Sequence, residues 1–228
     1  MQSSVVLLSS GLDSTVNLYA ALRESKVVLV LTFNYGQRAA SKEIESARKI
    51  VSKINASNKL DYQLEHKIVE LPFFKDFTNT SLINRAADVP VANEVSIHDL
   101  NISNQTAERV WVPNRNGVFL NIAAAFAEGL GATSIVPGFN IEEAATFPDN
   151  SLAYLKTVDE TFKFSTANQL KVRCYTINMN KTEIMKLGQE LGVDFNLVWP
   201  CYFAGPTICG ECESCLRFAN AKSAAGVD

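Results

Sequence analysis

Val5-Val6-Leu7-Leu8 is a short, unbroken apolar run that ends in Ser9-Ser10-Gly11 and gives way from Ser14 to apolar residues at helical spacing, Val16, Leu18, Tyr19 and Leu22. A strand without polar alternation must be covered on both faces, so such a run constrains the chain to a layered arrangement with helices above and below a sheet. Residues 27–33 repeat the pattern with a β-branched apolar run, and residues 39–54 follow with Ile44, Ala47, Ile50 and Ile54 on one helical face. The opening therefore reads strand, tight loop, helix, strand, helix.

The same rhythm continues. Further strands are expected at residues 62–71, 134–137 and 172–177, and helices at 115–128, 152–164 and 181–191, the last capped by Asn178 or Asn180. Residues 72–110 mix Asn, Ser, Asp and Pro with no sustained period, which suggests a lid or substrate loop. The alternation predicts an α/β fold with a doubly wound, mostly parallel sheet whose ligands sit beyond the carboxyl ends of the strands, where the loop after Leu8 lies. At 228 residues the chain is long enough for one substantial core. The pattern changes at Trp199, so residues 1–198 are expected to form the catalytic domain, with 199–228 a cysteine-bearing segment packed on it and its Ala-rich tail after Phe218 frayed.

Several classes of function are disfavoured. The longest apolar stretch, residues 27–33, is far short of a membrane span, and Met1-Gln2-Ser3-Ser4 lacks a basic export signal. Acidic residues outnumber basic ones by 24 to 21, so the surface as a whole does not attract a polynucleotide. The expected setting is the reducing cytoplasm. His66 and His98 match no motif and are expected to be structural or exposed.

A strand that feeds a helix through a Ser/Gly-rich turn presents free amides, a positive helix end and hydroxyl donors to an anion. Ser9, Ser10, Gly11 and Ser14 are placed to surround a pyrophosphate. There is no Gly-Lys-Ser/Thr ending of the P-loop kind and no Gly-x-Gly-x-x-Gly. At the other end, Cys201, Cys209, Cys212 and Cys215 supply four thiolates, enough to close a tetrahedral structural Zn²⁺ site; consecutive Cys-x2-Cys steps also suit an iron–sulfur cluster, which colour and bound iron would reveal. Cys174 stands apart as a small core residue.

Ser9-Ser10-Gly11-Leu12-Asp13-Ser14 resembles the Ser-Gly-Gly-x-Asp-Ser signature of the PP-loop ATP pyrophosphatases, with Ser10 where glycine is usual. A side chain there must avoid or bear a positive φ, at a cost of roughly 1 kcal/mol. Together with the four cysteines, Val112-Pro113-Asn114-Arg115-Asn116, the segment from Thr32 to Arg38, Gly138-Phe139-Asn140, Phe147-Pro148-Asp149 and Trp199-Pro200-Cys201-Tyr202, the loop makes the chain resemble the 7-cyano-7-deazaguanine synthases of queuosine biosynthesis.

That resemblance implies an adenine nucleotide alpha hydrolase-like fold and a cytoplasmic homodimer that uses ATP with Mg²⁺ and carries one structural Zn²⁺. Its ATP-binding stretch would be Leu8, Ser9, Ser10, Gly11, Leu12, Asp13, Ser14 and Thr15. Asp13, Ser14, Arg115 and Lys181 would be catalytic. Tyr35, Gln37, Arg38, Arg115, Asn116 and Asp149 would hold substrate, Asp149 at the guanine-like edge. The implied reaction takes 7-carboxy-7-deazaguanine to the nitrile through adenylated acid and amide, with free ammonia as donor, because Gln2 is no glutaminase nucleophile. Asn150-Ser151 departs from the family's Cys-Arg and leaves the base-reading residues open. So do three alternatives: a deazaguanine-conjugating relative, another PP-loop enzyme that modifies tRNA, and a non-catalytic zinc-stabilised interaction protein.

Overall fold

A computed structural model describes residues 2–227. Five strands, β1 (Ser3–Leu7), β2 (Lys26–Asn34), β3 (His66–Glu70), β4 (Ser134–Val136) and β5 (Lys171–Val172), form one sheet in the order β3-β2-β1-β4-β5, and every pairing is parallel. Successive side chains of a strand point to opposite faces. Val5 and Leu7 accordingly join Leu29, Leu31 and Phe33 on one face, while Val6 and Leu8 join Val30 on the other. The first face is covered by α4 (Arg115–Gly129) and α6 (Leu152–Ser165), the second by α1 (Leu12–Glu24) and α2 (Ala40–Ala56). The doubly wound sheet is therefore as the apolar runs require.

β1 lies between β2 and β4, so the chain order reverses at its carboxyl end. A crevice opens at such a switch point.

Three sequence expectations need correction. Residues 72–110 are not without structure, because α3 (Leu100–Val110) lies within them, capped by Asp99, whose Oδ1 accepts the amides of Asn101 at 2.9 Å and Ile102 at 3.2 Å. Its buried face is Ser103, Thr106, Ala107 and Val110, mostly small or polar, so hydrophobic periodicity does not register it. The strand expected at 172–177 stops at Val172. Beyond it the Tyr175 amide donates to Asn17 Oδ1 at 2.8 Å and the Thr176 hydroxyl to the Phe139 carbonyl at 2.6 Å, so the chain leaves the ladder for a buried polar seam. Nor does the tail fray: α8 (Glu213–Ala225) packs through Phe218, Ala221 and Ala225 against α7 (Lys181–Leu191), where Ile184 and Met185 are fully buried. Alanine is the strongest helix former, and one packed face suffices to hold such a segment.

α7 is capped by Asn180, which forms a complete capping box with Glu183. That cap fixes the direction of Lys181. α5 (Ile141–Ala144) is a single turn capped by Asn140 and supplies Glu142 and Glu143. No helix among the described residues is long and apolar enough to cross a membrane.

Candidate active site

β1 delivers the loop 8–11 to the amino end of α1, where Gly11 occupies the capping position with no side-chain cap. The amides of the first turn are therefore free for an anion. Around them the hydroxyls are set by the loop itself: Ser9 Oγ lies 3.0 Å from Ser14 Oγ, and the Ser9 amide donates to Ser14 Oγ at 3.2 Å. Ser10 adopts φ 62°, so of the two outcomes open to a side chain there it bears the left-handed conformation rather than avoiding it. Its hydroxyl folds back on the Ser9 carbonyl at 2.6 Å, and its own carbonyl accepts the Trp199 amide at 2.9 Å. Neighbouring groups thus hold a backbone state that costs roughly 1 kcal/mol in isolation.

From the other side of the switch point, Gly138 follows β4 and passes so close to the loop that a Cβ there would lie 2.5 Å from Ser14 Cα and N. Only glycine permits that approach.

A cavity of about 220 Å³ opens over the loop. Leu8, Ser9, Gly11, Leu12, Asp13 and Ser14 border it, as do Tyr35, Gln37, Arg115, Asn116 and Lys181. Ser10 and Thr15 do not line it; both are fully buried, and Thr15 Oγ1 donates to the Gly11 carbonyl at 2.8 Å. Arg38, expected at the substrate mouth, turns away. Its guanidinium donates to the carbonyls of Ser81 at 2.6 Å, Asn84 at 2.9 Å and Ala87, and so fastens the loop after β3. Asp149 borders an adjoining smaller cavity instead.

The centre of the site is a buried charge cluster. Lys181 Nζ lies 2.5 Å from Asp13 Oδ2 and 2.6 Å from Glu143 Oε1, and Asn140 Nδ2 donates to Asp13 Oδ2 at 3.2 Å. One ammonium thus serves two carboxylates. Burial opposes the charge on Lys181, but the two carboxylates outweigh it and hold the ammonium above the usual lysine range. Burial pushes the Asp13 carboxyl up to about 6 even against the pull of Lys181, whereas for Glu143 the same lysine overcomes burial and the carboxyl stays low. Asp13 Oδ1 is buried and has no hydrogen-bond partner among the described residues, so its lone pairs suit a hard cation such as Mg²⁺. Asn116 Nδ2 is likewise buried and unpartnered.

Arg115, the first residue of α4, borders the same cavity; it donates to the Tyr35 hydroxyl at 3.2 Å, and its guanidinium lies over the Tyr35 ring at 5.8 Å. Asn114, in the left-handed conformation at φ 51°, turns the chain into that helix. Sequence reasoning missed Glu43, in the first turn of α2, which also borders the cavity. Its Oε2 accepts Gln37 Nε2 at 2.8 Å, and burial pushes its carboxyl up to about 7 against the pull of Gln37 and Arg115. Glu143 and Asn140 were missed as site residues too. An acidic residue in a helical first turn reads from sequence as an ordinary exposed end, and only the sheet order shows that these two turns meet at one crevice.

The four cysteines converge as their spacing predicts. All four Sγ atoms lie within 4.8 Å of one another, and Cys209 and Cys215 are 3.9 Å apart. Zn–S bonds of about 2.3 Å in a tetrahedron require about 3.8 Å between sulfurs, so the set fits that ion. Amides of Phe203 and Cys209 point at Cys201 Sγ, each at 3.4 Å, and that of Cys212 at Cys209 Sγ at 3.3 Å, which suits thiolates. Cys174 lies apart, its thiol on the Phe139 carbonyl at 3.3 Å. His66 Nε2 is 2.8 Å from Thr32 Oγ1, within the sheet, and His98 is exposed. Trp199, Pro200, Cys201 and Tyr202 complete the cavity wall, so the metal-type turn is part of the site's architecture.

A 4-thiouridine synthetase solved with RNA and bound ATP shares the fold, with a TM-score of 0.56 at 19% identity over 99% of this chain and 50% of that one. A 7-cyano-7-deazaguanine synthase of Bdellovibrio bacteriovorus is 52% identical over 225 residues, 98% of this chain and 94% of the relative. One from Pelotomaculum thermopropionicum is 46% identical over 224 residues, 98% of each chain. The family described as queuosine biosynthesis protein QueC matches residues 3–226, and the chain belongs to that family.

Proposed function

We propose that this chain is an ATP-dependent carbon–nitrogen ligase that converts 7-carboxy-7-deazaguanine and ammonia to 7-cyano-7-deazaguanine. The observation that carries this reading is the uncapped amino end of α1, which opens into the same cavity as Arg115, Lys181 and the unpartnered oxygen of Asp13. Two oxygens must leave carbon, and adenylation makes each a good leaving group. In the first half, a substrate carboxylate oxygen attacks the α-phosphorus of ATP and pyrophosphate departs. Ammonia then adds to the acyl carbon, the bond to AMP breaks and a proton is lost, which leaves the amide. In the second half the amide oxygen attacks a second ATP, pyrophosphate again departs, and expulsion of AMP with loss of both N–H protons gives the nitrile. No covalent enzyme nucleophile is needed.

Within this scheme the free amides of α1 and the Ser9 and Ser14 hydroxyls hold the β- and γ-phosphates, close to the chain because Gly11 adds no side chain. Asp13 Oδ1 would hold Mg²⁺, which when bound neutralises charge on the departing pyrophosphate. Lys181 and Arg115 both border the space where that charge develops, and Arg115 stays cationic throughout. Tyr35 and Gln37 form buried wall rather than mouth, the Gln37 side-chain amide being bonded to Tyr35, Phe33 and Glu43; Asn116 Nδ2 donates to substrate, and Asp149 takes the N–H edge of the base. We assign Zn²⁺ to the four cysteines, a structural role to it, and a cytoplasmic homodimer to the chain.

The test is to incubate the metal-loaded protein with 7-carboxy-7-deazaguanine, ammonium and Mg-ATP and to follow the mixture by mass spectrometry. Loss of the acid with appearance of the nitrile, AMP and pyrophosphate is expected. An inert mixture, from protein with one bound zinc and an intact fold, overturns the reading.

A further inference from the structure

Beside the phosphate-loop cavity lies a smaller one of about 120 Å³, and none of the residues from Leu8 to Thr15 borders it. Arg115, Glu143, Asn150 and Tyr202 border both spaces, so these side chains stand at the join. The smaller cavity has a wall of different chemistry. Trp111, which ends α3, and Phe147, which follows α5, present rings within 6° of parallel with centroids 6.0 Å apart. Asp149, two residues beyond Phe147, borders the same space; its Oδ1 accepts Asn150 Nδ2 at 3.1 Å.

The other carboxylates around this cavity are committed. Glu213 is held by Arg217 at 2.8 Å, and Glu143 by Lys181 at 2.6 Å. Asp149 is in no ion pair among the described residues.

We infer that this smaller cavity is the site of the substrate's planar base, with the flat face of the bicycle against Trp111 and Phe147 and its N–H edge on Asp149. The inference rests on the proposed function and assigns the half of the site that the phosphate loop does not serve. Parallel aromatic rings suit the π-face of a heterocycle and offer nothing to a triphosphate. A carboxylate accepts a pair of N–H donors, as an amidine-like edge presents them. With ATP phosphates on α1 and the base in the smaller cavity, the reacting carboxylate meets the α-phosphate at the join, beside Arg115. Trp111 and Phe147 are then specificity residues for the base, without a part in ATP binding.

The chain has two tryptophans, Trp111 and Trp199, which makes the stack observable. Adding 7-cyano-7-deazaguanine to metal-loaded protein should quench indole emission; Trp111→Phe should still bind, with a smaller heat, and lose most of that quench. Trp111→Ala should raise KM for 7-carboxy-7-deazaguanine about tenfold or more, a typical loss for a base stacked on an aromatic ring, with KM for ATP unchanged. Phe147→Leu should show the same split and serves if the alanine variant does not fold. A quench that persists in Trp111→Phe, or folded variants that leave KM for the base unmoved, overturns the assignment while wild-type turnover keeps the function. Wild-type protein that neither binds the nitrile nor consumes the acid removes both.

Discussion

The phosphate loop and the cysteine turn are both short irregular segments that gather polar side chains, yet they differ in what they leave open. At the loop, the amino end of α1 has no side-chain cap, Asp13 Oδ1 and Asn116 Nδ2 are buried without partners among the described residues, and one ammonium is divided between two carboxylates. At the cysteine turn, four sulfurs face one another with amides behind them, a set that one ion completes. Unmet hydrogen-bonding capacity is costly in a folded protein, and its concentration at one crevice marks where a transient ligand belongs. Closed coordination marks a part that holds shape. The two are joined by the Trp199 amide on the Ser10 carbonyl, so the closed region braces the open one.

The contrast predicts opposite failures. Asp13→Ala should lower kcat/KM by about a thousandfold or more, the scale of removing a preorganised charge at a phosphoryl-transfer site, and leave the thermal midpoint unchanged or higher, since burial already disfavours the Asp13 carboxylate and Glu143 keeps the Lys181 ammonium paired. Steady-state AMP release and a melting curve read both. Cys212→Ser should do the reverse: bound metal falls, and stability drops by about 4 kcal/mol, a fraction of what a structural zinc contributes. Metal analysis with urea unfolding checks it. If Cys212→Ser keeps its stability while Asp13→Ala unfolds, the division of roles is wrong.

Gly138→Ala lies between these extremes. Its methyl would meet backbone, so the loop must move, at a cost of about 1–3 kcal/mol, with KM for ATP rising more than tenfold. The smallest effect is expected at Glu43. A carboxyl raised to about 7 binds its proton more tightly in the folded chain than in the unfolded one, so stability falls as pH rises from the ordinary glutamate range to about 7. Glu43→Gln should remove that slope. Above pH 7 it should raise the melting temperature of the ligand-free protein by about 2–4 °C, corresponding to about 1 kcal/mol for a group that is not fully enclosed, and at pH 4 it should change little. Differential scanning fluorimetry across pH settles it.

Much of this was legible in the sequence where the chemistry is local. Unalternating apolar runs gave the parallel sheet, Ser9 to Ser14 the open turn at the head of α1, and cysteine spacing the metal-type turn, because each depends on neighbours along the chain. What escaped depends on the sheet order. Glu43 and Glu143 become site residues only because β2 and β4 flank β1. The buried face of α3 hides behind Ser103 and Thr106, and the role of Arg38 depends on carbonyls more than forty residues away. Ser10, the departure from the usual glycine, is accommodated by a contact with Trp199, which sequence proximity does not reveal.

On the proposed function, the open end of α1 serves to adenylate a carbon-bound oxygen, first of the acid and then of the amide. This is tested most directly with 7-carboxy-7-deazaguanine labelled with ¹⁸O in both carboxylate oxygens. Two AMP molecules are expected per nitrile, each with one ¹⁸O in its phosphate; label in inorganic phosphate or released to water, with ADP as the nucleotide product, would rule adenylation out.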